Sequence, residues 1–127
     1  MKKILIVDAD ALTRLSIAQT LLRDGFDIVF ASDGIKALEL TKKTKPDLII
    51  CALEIPKPDG RELEKAVREN RQTRHIPVVL LTESAQPNGP RGSAEPGPIG
   101  FLHKPFTRDQ LIMTVQKSLS RRSFIPR

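Results

Sequence analysis

Residues 46–60 read Pro46-Asp47-Leu48-Ile49-Ile50-Cys51-Ala52-Leu53-Glu54-Ile55-Pro56-Lys57-Pro58-Asp59-Gly60. The nearly unbroken apolar run over Asp47–Leu53 fits a strand buried on both faces, not the alternating pattern of a half-exposed one. Pro56 and Pro58 bound the loop that follows. Asp59 is a good N-cap for a helix from Gly60 to about Asn70, with Leu63, Ala66 and Val67 facing inward. A buried strand, a short loop and a capped helix make the repeating unit of a parallel sheet with helical crossovers.

The same unit recurs on either side. Lys3–Val7 is a short apolar run, and Ala11–Arg23 carries Leu12, Leu15, Ala18, Leu21 and Leu22 at helical spacing before Gly25, a plausible helix-ending glycine. Phe26–Ala31 reads as a second strand. Asp33-Gly34 opens a helix through Lys43, with Ile35, Leu38 and Leu40 as its apolar positions. Pro77–Thr82 and Gly100–His103 supply a fourth and a fifth strand. Thr107 caps a last helix to about Leu119, with Leu111, Ile112, Val115 and Leu119 on its apolar side. The expected fold is α/β, a flavodoxin-like, doubly wound, five-stranded parallel sheet. Ligands of such sheets sit beyond the carboxyl ends of the strands, where Asp8, Ala52, Thr82 and Lys104 fall.

Ser84–Pro98 breaks the rhythm in the slot of the fourth helix. Four prolines and three glycines in fifteen residues oppose a regular helix, since an interior proline costs about 3 kcal/mol and a glycine about 1 kcal/mol. A mobile loop that replaces or shortens the helix is expected there. The domain is expected to span 1–120, with 121–127 a basic tail or the start of a linker.

Motif order and spacing resemble the response regulator receiver domain, a CheY-like family. Its pattern after the third strand is Asp, three residues, Pro, two residues, Asp, Gly. Counting back from Pro56 places Ala52 at the aspartate that takes a phosphoryl group from a histidine kinase. The family's acidic pair after the first strand corresponds to Asp8 and Ala9, so the residue that would ligate the metal directly is an alanine. Asp10 stands one place further on and is read as a helix N-cap before a substitute ligand. Thr82 matches the family's hydroxyl, and Lys104-Pro105 its lysine and cis-proline. Phe101 matches the switch position. The resemblance thus implies a degenerate pseudo-receiver of a two-component or phosphorelay system, without a phosphoacceptor, a bound metal or another cofactor. Lys104 is expected to pair with Asp8, and Glu54 to share the pocket or to stay solvated on its rim. Such a module would work by contact with a protein partner, whether a kinase, another signalling protein or an output domain. Two alternatives stay open. One is a conventional receiver that uses a non-standard acidic residue; the other is direct nucleic-acid binding through the basic second half.

Composition narrows these choices. The chain has 127 residues, 39% of them hydrophobic and 28% charged, as expected of one globular domain. Its net charge of +6 arises wholly after residue 60, where twelve Lys/Arg face six Asp/Glu. A solvated surface with a basic tail accounts for that excess. With five phenylalanines and no Trp or Tyr, there is no aromatic platform for nucleic acid, which makes it an unlikely partner for this domain alone. No run approaches the ~20 apolar residues of a membrane span, and the lone Cys51 has no disulfide partner, so a cytoplasmic location is expected. Cys51 reads as a packing residue, and His75 and His103 stand too far apart in sequence to suggest a metal site. Arg61, Lys65 and Arg68, interleaved with Glu62, Glu64 and Glu69, read as a solvated helix face. No catalytic set is visible, so an enzyme is not expected. Oligomeric state is left open.

Overall fold

The computed structural model describes residues 1–83 and 100–122. Five parallel strands form one sheet in the order β2-β1-β3-β4-β5: β1 Lys3–Val7, β2 Asp27–Ala31, β3 Leu48–Ala52, β4 Val78–Thr82 and β5 Gly100–His103. Among the described residues the helices are α1 Ala11–Arg23, α2 Gly34–Thr44, α3 Gly60–Glu69 and α4 Arg108–Arg122. The sheet and its covering helices agree with the flavodoxin-like expectation. The expected loop over Ser84–Pro98 lies outside the described residues. The last helix runs past its expected end near Leu119 to Arg122, and β2 starts one residue later than expected, at Asp27.

The three central strands carry no polar side chain except at their ends. β3 and β4 are buried along their whole length, as a sheet covered on both faces requires. On one face Leu5, Val7, Ile49, Cys51 and Leu80 pack with Ala37, Leu63 and Val67. On the other, Ile4, Ile6, Ile50 and Leu81 pack with Ile17, Leu21, Leu111 and Val115. Gly25 (φ +90°) ends α1, letting the amides of Gly25 and Phe26 reach back to the carbonyls of Leu22 and Leu21. Asp59 caps α3 by accepting from the Glu62 amide, and Glu62 returns the bond to the Asp59 amide.

The helices differ from expectation in which apolar residues they bury. Leu12, Leu15 and Leu22 of α1 and Ile35 of α2 are exposed. Ile17, Ala18 and Leu21 bury in α1, and Ala37 and Thr41 in α2. Glu64, expected on a solvated face, is buried and holds Arg68 in a two-pronged ion pair, with Nε–Oε2 at 3.0 Å and Nη2–Oε1 at 3.3 Å.

One glycine fixes how α3 meets the end of β3. A Cβ on Gly60 would lie 2.5 Å from the Ala52 carbonyl oxygen and 2.8 Å from Leu53 Cα. Both are backbone atoms that cannot give way cheaply. Gly100 has open space at the same position. Gly60→Ala should therefore lower stability by about 1–3 kcal/mol while Gly100→Ala changes it far less; urea unfolding of the two variants is the check.

Candidate functional site

The carboxyl ends of β1, β3 and β4 open onto a cleft of about 350 Å³ lined by Asp8, Ala52, Leu53, Glu54, Leu81, Thr82, Glu83 and Lys104. Sheet register assembles it. Ala52 pairs with Leu81 and Thr82 with His103, so the residues after the strands converge on one rim. The Lys104 amide donates to the Thr82 carbonyl at 2.8 Å, and the Leu53 amide to the Leu81 carbonyl at 2.8 Å, extending the ladder past the strands. The Lys104–Pro105 peptide is cis, as is Lys57–Pro58.

Asp8 is the centre of the cleft's charge. It is buried, and each of its three oxygens accepts a hydrogen bond. Oδ2 accepts from Lys104 Nζ at 2.9 Å, Oδ1 from the Asp10 amide at 2.9 Å, and the Asp8 carbonyl from Arg14 Nη1 at 2.6 Å. A partly buried, hydrogen-bonded ion pair of this kind is stronger than a surface one, because solvent screens it less. The second carboxylate near the lysine is Glu83, at 3.9 Å. Glu54, weighed for that place, is exposed on the rim.

Asp10 turns away into capping. Its Oδ2 accepts from the Thr13 hydroxyl at 2.6 Å and the Thr13 amide at 3.1 Å. Those bonds hold its carboxyl below the usual carboxylate range, so its charge favours the folded state at neutral pH and this contribution is lost on acidification. Thr82 is buried at the cleft floor. Phe101 is half-buried against the core beside β4. Ala52 puts a methyl where the pattern after β3 calls for a carboxylate, and Ala9 offers no side-chain ligand.

Sequence reasoning located Asp8, Ala52, Thr82 and Lys104 together and missed Glu83 and Arg14. Glu83 directly follows Thr82 at the end of a strand, a signal that was available. Arg14 reaches back six residues, past the start of α1, to a backbone carbonyl, for which its sequence position gives no sign.

Cys51 stands one residue before the cleft on the opposite side of the strand from Ile50. Its Sγ donates to the Ala52 carbonyl at 3.3 Å. Burial pushes its thiol up to about 12, with the Asp8 and Asp59 carboxylates adding to the effect.

Comparison with known proteins assigns the family. The response regulator receiver domain profile matches residues 4–116. Transcriptional regulatory protein PdtaR of Mycobacterium tuberculosis (strain H37Rv) is 34% identical over 121 residues, covering 94% of this chain and 58% of that protein. Alkaline phosphatase synthesis transcriptional regulatory protein PhoP of Bacillus subtilis (strain 168) is 35% identical over 124 residues, covering 98% of this chain and 50% of that protein. The chain thus spans about half the length of these curated relatives. Among solved structures, chemotaxis response regulator CheY4 of Vibrio cholerae superposes with a TM-score of 0.85 at 33% identity, covering 93% of this chain and 98% of that one. The chain belongs to the response regulator receiver domain family. No helix among the described residues is long and apolar enough to cross a membrane.

Two measurements check the site. Lys104→Met strands Asp8 as a buried carboxylate with one ionic partner fewer and should destabilise by about 2 kcal/mol, whereas Lys57→Met, an exposed lysine, should change stability by less than about 0.5 kcal/mol; thermal unfolding reads both. Thiol labelling with a soluble disulfide reagent at pH 8 should leave Cys51 unmodified in the folded protein and modify it fully in denaturant.

Proposed function

We propose that this receiver does not accept a phosphoryl group and signals by direct contact with a protein partner in a two-component or phosphorelay pathway. The observation that carries the reading is the state of Asp8. In a cleft without a carboxylate at position 52, the remaining buried carboxylate is spent on Lys104, the Asp10 amide and, through its backbone, Arg14.

Transfer to a carboxylate requires an acceptor oxygen, a metal held by carboxylates and donors for the phosphoryl oxygens. Thr82 and Lys104 could serve as donors. The acceptor is missing, and the donor set does not fit Mg²⁺. The ion takes oxygen ligands in near-octahedral geometry and gives up water reluctantly. Here Ala9 and Ala52 offer none from their side chains, and the two Asp8 oxygens already have partners. Among the described residues no three His, Cys, Asp or Glu side chains form a group able to hold a metal ion.

The available carboxylates do not favour a substitute acceptor. Asp10 is committed to capping α1, and Glu54 lies out on the rim. Phe101, at the family's switch position, would then have no phosphoryl group to answer, and the binding surface would be set constitutively. The closed Asp8–Lys104 pair supports a single resting conformation.

Intact-mass measurement after incubation with acetyl phosphate and Mg²⁺ should show unmodified protein. The Ala9→Asp, Ala52→Asp double variant should gain one phosphate per chain under the same conditions. A stoichiometric adduct on the native sequence would overturn the proposal.

A further inference from the structure

β2 is an edge strand: its inner side pairs with β1, and no described strand pairs with its outer side. The bonds it makes to β1 show which groups remain for another strand. The Asp27 amide donates to the Lys2 carbonyl, and the Ala31 carbonyl accepts from the Asp8 amide. Backbone groups alternate along a strand, so Asp27, Val29 and Ala31 point inward while Ile28 and Phe30 present their N–H and C=O outward.

Exposed apolar side chains gather around this same edge. Phe26 and Ile28 pack on the core cluster that includes Ile17 and Leu21 of α1. Phe30, two residues on, faces the same side and is 41% exposed. On α1, Thr13 and Ile17 line the groove toward the start of α4. Leu15 (53% exposed) and Leu22 (56%) lie on the opposite flank of the helix, over β2. On the other face of the sheet, Val29 of β2 and Leu40 of α2 are partly buried against the other core cluster. Exposed apolar side chains thus lie on the α1 face of one free strand edge. Such edges are ordinarily blunted by charge, proline or a cover, and β2 carries only Asp27 at its start.

We propose that β2 pairs with β2 of a second copy of this chain, antiparallel about a two-fold axis at Val29, giving a continuous ten-stranded sheet (five strands from each copy). The self-complementarity of the edge selects a second copy as its partner. In that register Ile28 lies opposite Phe30 of the other copy. These are the two residues whose backbone groups point outward, so each pair exchanges both N–H···O bonds. The same register sets an aromatic side chain against a β-branched one, a favourable cross-strand pair. Asp27 falls opposite Ala31, so no like charges oppose. Leu15 and Leu22 of the two α1 helices meet over one face of the seam, and the two Val29 side chains meet on the other. Each contact is the same patch on both copies, as a closed dimer requires.

Sedimentation velocity across a concentration series, on the unphosphorylated chain, tests this independently of the cleft. A concentration-dependent dimer is expected. Phe30→Lys should raise its midpoint concentration by about tenfold or more, while Met113→Lys, an exposed apolar residue on α4, leaves it unchanged. Register is tested by Val29→Cys: two copies of residue 29 would face each other as a non-hydrogen-bonded pair with Cα atoms about 4.5 Å apart, close enough for a disulfide. Mild oxidation should link this variant into a covalent dimer, with Cys51 buried and uninvolved. Monomer mass at every concentration, a dimer indifferent to Phe30→Lys, or failure of Val29→Cys to cross-link would each overturn the proposal.

Discussion

The ion pair between Lys104 and Asp8 ties the two halves of this molecule together. Asp8 follows the first strand and Lys104 the last, 96 positions apart in the chain, and they meet because the strand order threads both carboxyl ends to one rim. In a cleft with carboxylates at positions 9 and 52, the lysine would be one cation among several anions. Here the other carboxylate beside the lysine is the exposed Glu83, at 3.9 Å, and the pair closes at 2.9 Å. The same contact that completes the cleft electrostatically also occupies its acidic group. The receiver architecture is thereby kept around a cleft whose buried carboxylate is held in an ion pair.

Legibility in the sequence followed the physics of each element. The strands announced themselves because a sheet buried on both faces demands continuous apolar runs, and residues 3–7, 48–52 and 78–82 supply them. Caps were equally plain: Asp10, Asp33 and Asp59 each precede a helix, and each accepts from an amide three residues on. Spacing of short motifs brought Asp8, Ala52, Thr82 and Lys104 into one cleft before any geometry was known. The helical apolar faces were harder to read. Leucines at 12, 15 and 22 fit a helical period, yet period alone does not say which side of an apolar stripe touches the sheet. Glu64 was misread for a related reason. Its burial depends on Arg68, one turn later, and a charge pattern of alternating sign looks the same whether the pair is solvated or tucked in.

These misread residues carry a lesson about function. A leucine or isoleucine that satisfies helical periodicity but stays exposed does nothing for the core, so its apolar surface is available to another molecule. Leu15 and Leu22 are such residues, and with Phe30 of β2 they lie along one strand edge. If the cleft no longer reports a phosphoryl signal, surfaces of this kind are what remains for the protein to act through.

The central claim is that the cleft keeps receiver geometry without receiver chemistry. The most direct measurement is a Mg²⁺ titration, alone and with beryllofluoride, followed by amide chemical shifts of Asp8, Ala9, Asp10, Ala52, Leu53, Thr82 and Lys104. Shifts that stay unchanged at these positions through millimolar Mg²⁺ are expected. Saturable changes confined to them would show a working metal and phosphoryl site and contradict the claim.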